Sequence, residues 1–380
     1  MPKKPIGINV YDASVERMKE LYAQGHRIVI SFSGGKDSGV CLEVCLEAAR
    51  QTNRLPVEVI MRDEEIMLPG TFEYCERVAQ REEVEFHWIY ACQPVVNVFN
   101  RENPYFWVFD DQMEPDKWLR KPPDRAYRIK EQNIEQMVTA EKFPPPDGKN
   151  LYVVVGIRTQ ESINRLLGVM TSLSHLTKEN KFGVRKVRPI YDWTDGDVWL
   201  AHTKYDWDYN SAYDVMQRFG YSRNQVRIAP PTLATITVKR DLKLARKAFP
   251  KFFDALCKRL HGVRSATMYG LSSVRPDRQL GEQWKDTYER ECIETAPDWI
   301  AERASICKAK VMQYHSRHST MPFPDVAVCP KCKTTGSWKA LSYAMYMGDP
   351  FSAKTVHLIG YVEPETFREG AGQWGGKPTF

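Results

Sequence analysis

Three groups of residues in this 380-residue chain have types and spacing that could do chemistry. The first is the turn in "IVISFSGGKDSGVCLEV", where Ser33, Gly34, Gly35, Lys36, Asp37 and Ser38 separate a β-rich run from an apolar helical pattern. Glycines let the backbone approach an anion closely, and a helix N-terminus presents unpaired N–H groups and a positive dipole end. Ser33 and Ser38 add hydroxyls, and Lys36 adds a charge. The Walker spacing G-x-x-x-x-G-K-[ST] is absent, so a P-loop NTPase site is excluded. The plainer alternative is a glycine turn capped by Ser or Asp.

The second group is "GIRTQESINR", with Gly156, Arg158, Glu161 and Arg165. If a helix begins near Glu161, Arg165 lies one turn beyond it and shares its face. The group then serves an anion, or is a surface ion-pair cluster. The third is Cys329-Pro330-Lys331-Cys332, whose C-x2-C spacing can present two thiolates to zinc, with His315 and His318 upstream and Cys292 and Cys307 further off. A redox dithiol and plain structural cysteines are the competing readings. Cys41, Cys45 and Cys75 sit at apolar helical positions and are expected in the core.

The elements that must position these groups follow from periodicity. Strands are expected at Arg27 to Phe32, "LPVEVIM", "VEFHWIY" and "LYVVVG", with helices over Val40 to Ala49 and "GTFEYCERVAQRE". Strand alternating with helix predicts an α/β, Rossmann-like (HUP-type) parallel sheet with helices on both faces. Such a sheet binds ligands beyond the carboxyl ends of its strands. "SFSGGKDS", "RDEE" and "GIRTQES" each begin where an expected strand stops, so all three are expected to line one crevice.

We expect a first domain over 1–235, carrying an aromatic insertion over about 92–150, and a mostly helical C-terminal region over 236–380. Trp107 and Trp118 of the insertion either close over a substrate or form core. Between Lys239 and Arg259, eight Lys or Arg stand against two Asp, which suits the outer face of amphipathic helices or a nucleic-acid backbone contact. Arg185, Lys186 and Arg188 extend a basic rim or form a solvated face. The tail "REGAGQWGGKPTF" is Gly-rich and expected to be loosely held. The composition, 42% hydrophobic and 27% charged with a net charge of +6, is that of a globular protein and does not by itself indicate nucleic acid. No apolar run of membrane-spanning length or apolar leader occurs, and the nine cysteines follow no secreted framework, so a cytoplasmic protein is expected.

"SFSGGKDS" resembles the PP-loop of the adenine-nucleotide α-hydrolase superfamily. "GIRTQESINR" and "RPIYDWTDGDVW" resemble motifs of its phosphoadenosine phosphosulfate (PAPS) reductase-like branch. "FWVFD", "KWLRKPP", "YNSAYDVMQRFGYSRNQVRIAPP" and "SWKALSYAMYMGDPFSAK" are similar to the IbrA-like subgroup. The resemblance implies cleavage of ATP between its α and β phosphates, releasing pyrophosphate and leaving AMP on a substrate in sulfur transfer or nucleic-acid modification. It implies that the amides of Gly34, Gly35 and Lys36, with Ser33 and Ser38, hold the β and γ phosphates. Asp37 would help to bind Mg²⁺, and Asp63 would stand near the nucleotide. Gly156, Arg158 and Glu161 would complete the nucleotide site. Arg158 and Arg165 would offset charge growing near the α phosphate, with Lys36 and Asp37 in the catalytic set.

Two alternatives accompany this expectation. One is a nucleotide-binding regulator acting with a ParB-like partner. The other is a sulfonucleotide reductase, disfavoured because no E-C-G-L-H type motif occurs and the PP-loop is complete. An iron-sulfur cluster of the DNA phosphorothioation type is also disfavoured, since "NQVRIAPPT" has no cysteine.

Overall fold

A computed structural model of the protein describes residues 7–131, 134–172, 174–222, 225–228, 238–270, 274–333, 336–352, 354–355 and 358–371. The end of the Gly-rich tail, residues 372–380, and part of "NQVRIAPPT" lie outside the described residues. The chain forms two compact units, one of residues up to 93 with 108–230, the other of 94–107 with 231–380.

The first unit opens with α1 (Val10–Ala23), β1 (Arg27–Ser31), α2 (Lys36–Gln51), β2 (Val57–Arg62), α3 (Thr71–Ala79) and β3 (Val84–Tyr90). A two-stranded ribbon, β4 (Gln93–Val96) and β5 (Tyr105–Val108), then falls almost wholly to the second unit, which takes residues 94–107, before the chain returns to the first. Next come β6 (Tyr127–Arg128), α4 (Ile134–Met137), β7 (Leu151–Val154), α5 (Ile163–Ser172), β8 (Val184–Val187), α6 (Asp195–Lys204) and α7 (Ala212–Arg218). Six strands make one parallel sheet in the order β6-β3-β2-β1-β7-β8. This is the expected Rossmann-like α/β architecture.

Alternate strand residues feed opposite faces, as the two-residue period requires. Ile28, Ile30, Val59, Tyr152 and Val154 join a core with Val40, Val44, Cys45, Tyr74 and Val198 from α2, α3 and α6. Val29, Ile60, Leu151 and Val153 point the other way, onto Met137, Val138 and Phe143. The ribbon strands β4 and β5 were not expected from the sequence, nor were two strands of the sheet. β8 reads "VRKV", and its two charged residues hide the apolar pair Val184 and Val187, which are the buried ones. β6 is only two residues long and exposed.

The topology places the ligand-binding end. From β1 the chain runs outward through β2, β3 and β6, then returns to add β7 and β8 on the other side of β1. The switch point therefore falls between β1 and β7, where a crevice opens beyond the strand ends.

The second unit is helical: α8 (Val238–Ala248), α9 (Pro250–Arg259), α10 (Val263–Tyr269), α11 (Trp284–Glu289), α12 (Asp298–His318), α13 (Trp338–Met345) and α14 (Pro364–Ala371). Trp284, Tyr288, Cys292, Cys307, Val311, Trp338 and Leu341 form one of its cores. Leu242, Leu244, Phe253 and Leu256 are buried on α8 and α9, while Lys243, Arg246, Lys247, Lys251 and Lys258 are exposed. Among the described residues, no helix is long and apolar enough to cross a membrane.

Candidate active site

The turn after β1 is shaped by its glycines. Gly34 has φ +70°, and a Cβ there would come within 2.6 Å of Thr71 Cγ2. Gly35 precedes the first residue of α2 and offers no side-chain cap, so the first-turn amides are left to other partners. Ser38 Oγ donates to Gly35 O at 2.9 Å, accepts from Ser33 N at 3.2 Å and lies 3.1 Å from Ser33 Oγ. Gly156, just beyond β7, lies against this turn: a Cβ there would meet Asp37 C and Ser38 N, each at 3.1 Å. Its bare Cα lets the two strand ends close up at the switch point.

Lys36 is 5% exposed, and its Nζ stands 3.5 Å from Asp37 and 3.4 Å from Asp195. Arg158, also buried, donates through Nε to Asp37 Oδ1 and lies 3.4 Å from Asp195 Oδ1. Its backbone N–H donates to Glu161, and Arg165 pairs with the same carboxylate from the next helical turn. Glu161 belongs to a short 3-10 turn, Thr159–Glu161, ahead of α5, which brings Arg165 onto its face. Two adjoining hollows of about 370 and 250 Å³ share Lys36, Glu161 and Arg227 in their walls. The larger is also lined by Ser33, Gly35, Asp37, Ser38, Gly156, Arg165 and Tyr213, and the smaller by Arg158 and Asp195. Four cations thus face three carboxylates around a cleft with glycine backbone at its floor. Such a cleft can receive a polyanion by exchanging internal ion pairs for ligand contacts.

Four residues behind or beside the turn were not singled out from the sequence. Asp195 is one. It starts α6 after Thr194, whose hydroxyl is taken by Asp197, which leaves the Asp195 carboxylate to Lys36 and Arg158. Asn210, fully buried, donates to Gly34 O at 3.0 Å and to Thr71 Oγ1 at 2.8 Å. Tyr213 Oη accepts from Lys36 N at 2.9 Å, and burial pushes its phenol well above the usual range. One of the amides expected to face phosphate is therefore already engaged. His202 Nε2 lies 3.4 Å from Lys36 O, and burial lowers its pKa. Spacing gave no signal for these residues, since nothing local shows that "YNSAY" folds under residues 34–36.

Other expected positions lie elsewhere. Asp63 is 0% exposed and walls neither hollow. It accepts from Glu65 N and Trp88 Nε1, each at 2.9 Å, and pairs with Arg120. Glu65 beside it accepts from Leu119 N at 2.8 Å. "RDEE" thus anchors "WLRK" through Asp63 and Glu65. The basic rim also dissolves: Lys186 pairs with Glu135 at 3.4 Å, Arg185 with Glu179 at 3.7 Å, and Arg188 donates to Gly168 O. Trp107 is buried in the second unit, and Trp118 donates to Asp110 O in the first. Cys41, Cys45 and Cys75 are core residues whose thiols burial pushes up.

The C-x2-C group is partly as expected. His315, Cys329 and Cys332 converge, but His318 does not join them. It is exposed, stacked on Tyr314 at 4.2 Å, with Nδ1 held at 2.8 Å by Tyr314 O. Three residues beyond His315 on a helix is a rotation of about 300°, enough here to send it outward. Cys292 and Cys307 are also apart, within the helical core.

With this geometry in view, the comparisons with known proteins are direct. Residues 27–222 match the phosphoadenosine phosphosulfate reductase domain, and the chain belongs to that family. It is 26% identical over 288 residues to the uncharacterized protein YbdN of Escherichia coli K12, covering 70% of this chain and 69% of that one. Among solved structures it is similar to Candida glabrata FMN adenylyltransferase in complex with FAD and inorganic pyrophosphate. That match has a TM-score of 0.35 and 12% identity over 56% of this chain, and it spans only 63% of the adenylyltransferase. PAPS reductase from Candida auris, in a phosphate complex, gives a TM-score of 0.31 and 16% identity over 59% of this chain and 89% of that one.

Proposed function

We propose that the protein binds ATP in the cleft between β1 and β7 and cleaves its α–β phosphoanhydride bond. A nucleophile, either water or an acceptor, attacks the α phosphorus; the bridging oxygen leaves with pyrophosphate, and AMP is released or stays on the acceptor. The observation that carries this reading is the pairing of two buried cations, Lys36 and Arg158, beside an uncapped helix N-terminus at the switch point. The amides of Gly34, Gly35 and Lys36, with Ser33 and Ser38, hold the outer phosphates, and Tyr213 yields Lys36 N when they arrive. Arg158 and Arg165 offset charge that builds on the departing oxygens. Gly156 and Glu161 shape the site, the first by letting β7 approach and the second by aiming Arg165.

The donor set also fits a hard divalent cation. Asp37 and Asp195 bring carboxylate oxygens to one cleft and would hold Mg²⁺, which supplies neutralisation of phosphate charge when bound. Among the described residues no cysteine lines either hollow, which speaks against thiolate attack of the reductase kind. Sulfur transfer and nucleic-acid modification, in the manner of the IbrA-like subgroup and in the cytoplasm, are the acceptor chemistries this reading favours.

The test is incubation with α-labelled ATP. AMP and pyrophosphate are expected from the wild type and not from Lys36→Ala. ADP and phosphate alone would overturn the bond assignment, and equal turnover by both proteins would remove Lys36 from the mechanism.

A second reading, a regulator that contacts nucleic acid or a ParB-like protein, is favoured by one observation, the exposed basic residues of α8 and α9. Binding to duplex DNA that weakens steeply with salt is then expected. Binding indifferent to salt would remove it.

A further inference from the structure

Helix α12 ends at His318, and the chain returns to its last turn through Cys329-Pro330-Lys331-Cys332. His315, Cys329 and Cys332 are all buried, and one ligating atom of each lies within 4.8 Å of the others. The imidazole is oriented from behind. Its Nε2 lies 2.7 Å from Met321 O, a contact only a protonated nitrogen can satisfy, so in the neutral ring the lone pair belongs to Nδ1. Nδ1 in turn faces Cys332 Sγ at 3.1 Å. A backbone carbonyl fixing the far nitrogen of a histidine whose near nitrogen faces one sulfur, with a second within 4.8 Å, is the support that metal-binding histidines use. Cys329 Sγ lies 3.7 Å from Ser319 Oγ, just beyond the helix end. In the metal-free protein the Cys332 thiol can donate to the Nδ1 lone pair, and a metal would take the place of the thiol proton.

We propose that His315, Cys329 and Cys332 bind one zinc ion, and that its fourth position is taken by water or a small exogenous anion. Two sulfurs and one imidazole suit a borderline-soft tetrahedral cation. Among the described residues no fourth His, Cys, Asp or Glu joins the cluster. Outside the described residues His357 is the one residue of those types, and His357→Ala is expected to keep the metal; its loss would overturn the exchangeable position. Closed structural zinc sites use four protein ligands, whereas three with an exchangeable fourth position is the pattern of sites that bind or activate small molecules.

The experiment uses the full chain purified without chelators. About one zinc per chain is expected, and less than about 0.2 would overturn the site. Replacing the metal with Co²⁺ is expected to give intense tetrahedral d–d bands and a sulfur-to-cobalt charge-transfer band. Weak octahedral bands without charge transfer would overturn it. Adding azide or thiocyanate to the Co²⁺ form is expected to shift the d–d bands; bands that stay fixed would overturn the exchangeable position. His315→Gln is expected to lose the metal, His318→Ala to keep it, and His315→Cys to keep it with a stronger charge-transfer band. The last variant keeps the test decisive if His315→Gln fails to fold. Equal metal loss in His315→Gln and His318→Ala would overturn the ligand set.

Discussion

The cleft of the first unit draws on separate stretches at 33–38, 156–165, 195–213 and 227, whereas the cysteine–histidine cluster of the second comes from one stretch between 315 and 332. The first needs a finished parallel sheet before any of its groups meet. The second needs only a helix end and a returning turn. A site assembled by a sheet inherits the rigidity of the core beneath it, as Gly156 shows by packing directly on the Asp37–Ser38 backbone. A site assembled locally is tied by fewer elements, and there a metal would supply a further cross-link. The difference also sets which residues are exposed to loss. In the cleft the vulnerable ones are those reaching in from behind, and in the cluster they are the ligands themselves.

That contrast can be broken most sharply at Lys36. Lys36→Ala is expected to lower AMP formation by about 100-fold or more, with zinc content unchanged. A matching loss of zinc would show that the two sites are not separately built. Next in size is Asn210→Ala, which strands the buried Gly34 carbonyl and Thr71 hydroxyl; a loss of at least about 2 kcal/mol in urea unfolding is expected. A change under 0.5 kcal/mol, on the order of an ordinary surface substitution, would mean the clasp does not stabilise the turn.

Tyr213→Phe should cost about 1 kcal/mol in the free protein, because Lys36 N loses its partner. Phosphate oxygens would restore that partner, so the thermal shift on adding ATP is expected to be larger in the variant than in the wild type. An equal or smaller shift would argue that Lys36 N does not meet the nucleotide.

The smallest effect concerns pH. Burial holds the pKa of His202 below the ordinary imidazole value of about 6.5. As pH falls through that value the unfolded chain takes up the proton first, so the stability contribution is complete above about pH 6.5 and declines below it. His202→Gln is expected to flatten the stability profile between about pH 5 and 6.5 relative to wild type; superimposable profiles would exclude His202 as a contributor.

Much of the sheet was legible because β1, β2, β3 and β7 are rich in apolar residues and bounded by turn residues. The glycine turn and the arginine motif were legible because they are local. β8 was not, since two buried valines flank two charges in a four-residue strand. The partners of Asp63 were hidden for a different reason: an acid at a strand end is the same sequence signal whatever it meets, and only the fold brings Trp88 and Arg120 to it. His318 misled because distance along a chain does not report direction around a helix.

By itself, then, the chain's order of residues determined the parallel sheet, the glycine bend before α2 and the paired cysteines, all of which depend on neighbours within a few positions. Tertiary structure alone decided that Asp195 sits between Lys36 and Arg158, that Asn210 and Tyr213 hold the turn from beneath, and that His315 meets the cysteines while His318 faces solvent. Those outcomes depend on which strands lie side by side and how helices are rotated, and both are settled by burying one contiguous core rather than by local preference.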